Sequence, residues 1–147
     1  MKKYTQADFD AFEVIDGIKQ CPSGDYSDIQ VFSDRCSFGE DCSFGEDYSF
    51  GACCSFGEYC SFGKGCSFEE KGEYIGDYPF LAFVGFGSRI GSKVYFFNLQ
   101  DGIYVRCGCW LSDIAGFRER VKAKNADAMY LDLCDLVERK FNRKNSK

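Results

Sequence analysis

The chain has 147 residues, 45% of them hydrophobic, with 16 Phe and a formal net charge of −5, enough for a folded core in one domain or two small ones. It contains no histidine, which removes imidazole general bases, Ser-His and Cys-His nucleophile pairs and His-ligated metal centres. Charge is unevenly divided: residues 1–80 carry 16 acidic against 6 basic side chains, net −10, and residues 81–147 carry 7 against 12, net +5. An acidic chain of this kind is not expected to bind nucleic acid through a phosphate-neutralising surface.

Residues 1–20 predict an N-terminal cap. In TQADFDAFE, Thr5 with Asp8 three residues later makes a capping-box pattern, and Phe9 and Phe12 fall at helical spacing. Asp16-Gly17 within EVIDGIKQC predicts a tight turn between two short strands. The first dozen residues carry charges where a signal peptide needs apolar ones, and no apolar run approaches about 20 residues, so a soluble cytoplasmic protein is expected.

Residues 21–88 read as a repeat of period six. Residues 36–68 run CSFGED CSFGED YSFGAC CSFGEY CSFGKG CSF, and an aromatic recurs every sixth position at Tyr26, Phe32, Phe38, Phe44, Phe50, Phe56, Phe62, Phe68, Tyr74, Phe80 and Phe86. A small residue or Cys stands two places before the aromatic and Gly follows it, as in Cys36-Ser37-Phe38-Gly39. A six-residue unit is too short for a helical repeat, and stacked parallel strands are the natural solution.

This pattern resembles the left-handed parallel β-helix of hexapeptide-repeat proteins, with Phe in place of the usual aliphatic residue. The resemblance implies a triangular helix of three to four coils, three hexads to a coil, with residues 18 apart stacked. Phe32, Phe50, Phe68 and Phe86 would form one column, Tyr26, Phe44, Phe62 and Phe80 a second, and Phe38, Phe56 and Tyr74 a third. Gly after the aromatic is expected to supply a left-handed backbone at each corner. The best-known members are acyltransferases that use a His base; this chain has none, so no enzyme activity and no catalytic residue is expected.

Residues 89–147 predict a C-terminal α+β cap, giving a mainly β protein overall. KVYFFNLQDGIYVRCGCWL reads as a β-hairpin around Asp101-Gly102. Ser112 is the expected N-cap of a helix carrying Ile114, Phe117 and Val121 on one stripe, and a second helix from about Asp127 to Phe141 turns Tyr130, Leu133, Val137 and Phe141 inward.

Three groups of residues invite chemical readings. The ten cysteines fit reduced, small apolar packing better than disulfides or a metal, because stacked parallel strands hold β-carbons slightly beyond disulfide range; Cys107-x-Cys109 is the pair with a metal alternative. No metal or cofactor is expected. Glu40, Asp41, Glu46, Asp47, Glu58, Glu69 and Glu70 occupy the polar hexad positions and are expected to form an exposed acidic face for a basic partner. Arg89, Lys93 and Arg106, near the glycine cluster Gly85, Gly87 and Gly91, are the alternative anion-binding set, without the Lys-Ser/Thr of a phosphate loop. Trp110, beside Cys109, reads more as packing than as a contact residue.

The GIYVRCGCWLSDIAGF segment and the overall plan look like uncharacterised small proteins of bacteriophages and prophages. Size and acidity are similar to those of phage anti-CRISPR inhibitors. The resemblance implies a non-enzymatic inhibitor in the host cytoplasm that binds a defence nuclease, such as a CRISPR effector, and competes with nucleic acid. The alternatives are a protein that sequesters a small anionic nucleotide or metabolite and a structural assembly component.

Overall fold

The computed structural model describes residues 1–85, 93–108, 110–124 and 126–143. The chain is mainly β, with a few helices and open sheets, and divides into two compact units, Met1–Glu73 and Tyr74–Lys147.

In the first unit, α1 (Gln6–Asp10) begins with the expected capping box: the Thr5 hydroxyl accepts from the Asp8 N–H and the Asp8 carboxylate accepts from the Thr5 N–H. Asp16 (φ 53°) and Gly17 (φ 80°) then form the tight turn joining β1 (Val14–Ile15) to β2 (Ile18–Cys21); two consecutive positive φ values are what a two-residue hairpin turn demands.

The hexads form short strands paired in parallel. β3 (Cys36–Phe38) pairs with β5 (Ser55–Phe56) through Ser37↔Ser55 and Phe38↔Phe56, and β4 (Ser49–Phe50) pairs with β6 (Ser67–Phe68) through Phe50↔Phe68. A third series of parallel bridges joins Asp25, Ser43 and Ser61. Each of these pairings is offset by 18 residues, so three hexads make one rung.

The rings pack by the same arithmetic. Those 18 apart lie nearly parallel: Phe38 and Phe56 at 5.3 Å and 5°, Phe44 and Phe62 at 5.0 Å and 15°, Phe50 and Phe68 at 5.4 Å and 16°. Those six apart meet edge to face, as in Phe38 with Phe44 at 88°, Phe44 with Phe50 at 84° and Phe50 with Phe56 at 90°. Both arrangements match the ring quadrupole, negative face toward positive edge or an offset stack, and add about 0.5–1.5 kcal/mol per pair beyond burial. Phe9 of α1 is 1% exposed and reaches the Phe32 ring edge-on at 5.2 Å, so the helix covers this end of the aromatic core.

Two expectations change here. The aromatic register continues in sequence to Phe86, but parallel pairing stops at Phe68. β7 (Gly72–Glu73) turns back antiparallel on β6, and Phe80 lies in β8 (Phe80–Val84) of a different sheet; Phe86 lies outside the described residues. An aromatic every six residues places rings but does not by itself choose a strand's partner. The left-handed backbone also falls elsewhere than expected: Arg35, Asp41, Asp47, Cys53 and Tyr59, each just before the next hexad, have φ between 57° and 62°. The glycines after Phe answer to close approach instead. A Cβ on Gly57 would stand 2.6 Å from the Glu40 amide nitrogen, and one on Gly63 would stand 2.6 Å from the Gly45 carbonyl oxygen.

In the second unit the expected hairpin is the centre of a four-stranded antiparallel sheet, ordered β11 (Trp110–Asp113), β10 (Gly102–Cys107), β9 (Lys93–Leu99), β8. Val94, Phe96, Ile103 and Val105 on one face pack with Ile114, Phe117 and Val121 of α2 (Ile114–Ala123) and Tyr130, Leu133 and Val137 of α3 (Met129–Lys140). The N-cap of α2 is Asp113 rather than Ser112: its carboxylate accepts from the Gly116 N–H at 2.8 Å, while Ser112 pairs with Val105 in the sheet. Arg118 donates to Glu138 at 2.8 and 3.0 Å and to Asp135 at 2.7 Å, tying α2 to α3.

Candidate functional site

Every third hexad corner lies over the one before it, and the corner backbone makes the connection. The Asp41 N–H donates to the Glu58 carbonyl at 2.8 Å and the Asp47 N–H to the Lys64 carbonyl at 2.8 Å. These bonds bring Glu40 and Asp41 beside Glu58 and Tyr59 at one corner, and Glu46 and Asp47 beside Lys64 at another. All seven side chains are exposed, Tyr59 to 80%. Rungs about 4.8 Å apart hold the charges of one corner well inside a screening length of about 8 Å at physiological salt, so the fields of Glu40, Asp41 and Glu58 add, whereas Lys64 partly offsets Glu46 and Asp47. Residues 1–73 carry 15 acidic against 6 basic side chains, net −9.

Glu70 is exposed, with φ 59°, as the expected acidic face requires, whereas Glu69 is only 9% exposed and does not belong to that face. The repeat breaks at this point, where β7 turns back over β6, and a position that faces water in a regular hexad becomes covered. Sequence reading missed Asp34. Its carboxylate accepts from the Ala52 N–H at 3.2 Å, so an acid at a corner also ties one rung to the next.

The alternative anion-binding set is described only in part. Arg89 lies outside the described residues, Lys93 is half-buried, and Arg106 is 5% exposed with its guanidinium 4.4 Å from the Tyr95 ring centroid. Arg106 and Tyr95 are direct cross-strand neighbours, which explains the contact but could not be read before the pairing was known. Trp110 is half-buried, 6.1 Å from Phe117 and with Arg120 4.4 Å over its ring, a packing role. Cys107 is half-buried and Cys109 lies outside the described residues.

The described cysteines are reduced thiols, and Cys21, Cys36, Cys42, Cys54 and Cys66 are buried, whereas Cys53 and Cys60 are half-buried. The Cys36 and Cys54 thiols converge on the Ser33 carbonyl at 3.2 and 3.7 Å, and those of Cys42 and Cys60 on the Gly39 carbonyl at 3.2 and 3.4 Å. Cys66 donates to Gly45 O at 3.2 Å. Cys is therefore more than a small apolar filler, because its weak S–H donates to a corner carbonyl. The hydrogen bond to Cys60, together with burial, pushes the Cys42 thiol up. Burial raises the Cys66 thiol, and in the second unit it pushes Cys134 up to about 12. Among the described residues no group of three or more acidic or Cys side chains is placed to hold a metal ion, and no helix is long and apolar enough to cross a membrane.

Comparison with protein-family models, curated proteins and solved structures gives no match. The residues and their geometry alone carry the functional reading.

Proposed function

We propose that the protein is a non-enzymatic binding protein whose exposed acidic corners occupy a basic surface on another protein. Its partner would be a host defence nuclease of the CRISPR-effector kind, bound where that enzyme holds nucleic acid. The observation that carries this reading is the set of exposed corner acids, Glu40, Asp41 and Glu58 at one corner and Glu46 and Asp47 at the next, on a unit of net −9. Within it, the hexads form a short left-handed β-helix. The 18-residue parallel offset and the coplanar ring columns support that architecture.

The physical logic favours a rigid charged mimic. Double-stranded DNA places one charge per about 3.4 Å along each strand, and corner acids on rungs about 4.8 Å apart offer a comparable line of charge on a scaffold already ordered before binding. A nuclease channel built of Lys and Arg attracts such a line at long range and releases bound ions on contact.

The test is affinity capture from a bacterial lysate at about 50 mM and about 200 mM salt, the range over which phosphate-type contacts weaken steeply. The expected result is capture of a basic nucleic-acid-binding nuclease at low salt, its loss at high salt, and its loss in a Glu40→Gln/Asp41→Asn/Glu58→Gln variant of unchanged melting temperature. Capture of no such protein, or capture indifferent to both salt and the triple substitution, overturns the proposal.

A further inference from the structure

Gly39 O receives two thiols from strands 18 residues apart, Cys42 at 3.2 Å and Cys60 at 3.4 Å, so both sulfurs crowd one small volume of the interior. The isolated parallel bridge Ser43↔Ser61 sets the residues just before it, Cys42 and Cys60, side by side, where parallel backbones usually lie about 4.8 Å apart. A metal–thiolate bond of about 2.3 Å makes a collinear sulfur–metal–sulfur unit about 4.6 Å long. That length is close to the backbone spacing, so side-chain rotation of two thiols that already share the Gly39 carbonyl brings both sulfurs onto one ion.

The donor set selects the ion. With no His in the chain and no third acidic or Cys ligand beside the pair among the described residues, an ion that requires four ligands is not served. A soft cation satisfied by two sulfurs is. Access separates this pair from its neighbour, because Cys36 and Cys54 are 0% and 2% exposed whereas Cys60 is half-buried beside a 1% exposed Cys42.

We propose that Cys42 and Cys60 form a two-sulfur site for a monovalent soft cation of the Cu(I) class. Binding replaces one proton, M⁺ + 2 RSH → M(SR)(RSH) + H⁺, so that no net charge is left among the Phe rings. The remaining S–H continues to donate to Gly39 O. No electron is transferred.

The experiment uses the reduced full-length chain without oxygen, titrated with Cu(I) against a competing chelator and, separately, with Ag(I) as a redox-inert probe. The expected result is one tightly held ion and one released proton per chain, with that ion lost in Cys60→Ser and kept in Cys53→Ser and Cys134→Ser. In the unaltered chain, Ag(I) protects Cys60 from alkylation while Cys53 continues to react, a readout that does not depend on any variant folding. Equal alkylation of Cys60 with and without Ag(I), or an ion that persists in Cys60→Ser and disappears in Cys107→Ser, overturns the proposal.

Discussion

Gly57 and Tyr59 sit two residues apart in one hexad and answer to opposite constraints. A methyl group on Gly57 meets the Glu40 nitrogen at 2.6 Å and the Gly39 carbonyl carbon at 2.7 Å, both backbone atoms that cannot swing away. Gly57→Ala is expected to cost about 1–3 kcal/mol by overpacking, read as a lower urea midpoint at unchanged slope. Tyr59 holds φ 62° with its side chain 80% exposed, so it accepts the steric penalty of the left-handed region without repaying it in burial. Tyr59→Asn, which suits that conformation, should raise stability by up to about 1 kcal/mol in the same assay. The sequence showed that a corner needs an unusual backbone somewhere in each hexad. It placed that backbone at the wrong residue, because Gly is required for two unrelated reasons and only neighbouring-rung distances separate them.

At the scale of elements, what was legible was local. The Thr5–Asp8 box, the Asp16-Gly17 turn and the apolar stripes of α2 and α3 depend on residues a few positions apart, and each stands where its pattern put it. The assignment of Phe80 failed because its antiparallel partner, Phe97, is chosen by pairing across the sheet. Glu69 failed for a similar reason, at the place where a regular repeat meets its end. The Arg118 fork to Glu138 and Asp135 was not foreseen, since its partners lie 17 and 20 residues away on another helix. Arg118→Met, which keeps the aliphatic stem, is expected to lower stability by about 1–2 kcal/mol, less than the loss of a fully buried pair because Asp135 is 63% exposed. A Glu138→Gln variant on that background should add little, the mark of one shared interaction in a double-mutant cycle.

For the whole molecule, alkaline pH is a sensitive axis. Burial pushes the Cys134 thiol up to about 12 from the ordinary 9.0, and the Cys42 and Cys66 thiols are likewise raised. Between pH 9 and 12 the unfolded chain has released a proton from Cys134 that the folded chain retains. The stabilisation is therefore complete below pH 9 and lost as pH rises, by at most about 1.4 kcal/mol per pH unit for each such thiol. Melting temperature under reducing conditions should fall from pH 8.5 to 10.5, and the fall should be shallower in Cys134→Ala. Opposite in sign is Asp8, whose carboxyl is lowered by its hydrogen bonds to Thr5, so its contribution is present above pH 3.8 and disappears in stronger acid.

The 18-residue offset bears on the length of the repeat as well. Deleting residues 43–60 joins Cys42 to Ser61 and removes one whole rung, leaving each remaining face in register. Deleting only 43–48 displaces every later strand onto the neighbouring face. The first variant should unfold cooperatively with a smaller urea slope, and the second should lose its sharp transition, as far-UV circular dichroism will read.

Near-identical CSFGED units can in principle be gained or lost as whole copies. A change of one or two copies shifts every later strand of the repeat onto another face, whereas a change of three copies merely shortens or extends the stack. Alleles that remain functional should therefore differ in length by whole triplets of the motif, a discrete ladder of sizes imposed by packing on the gene.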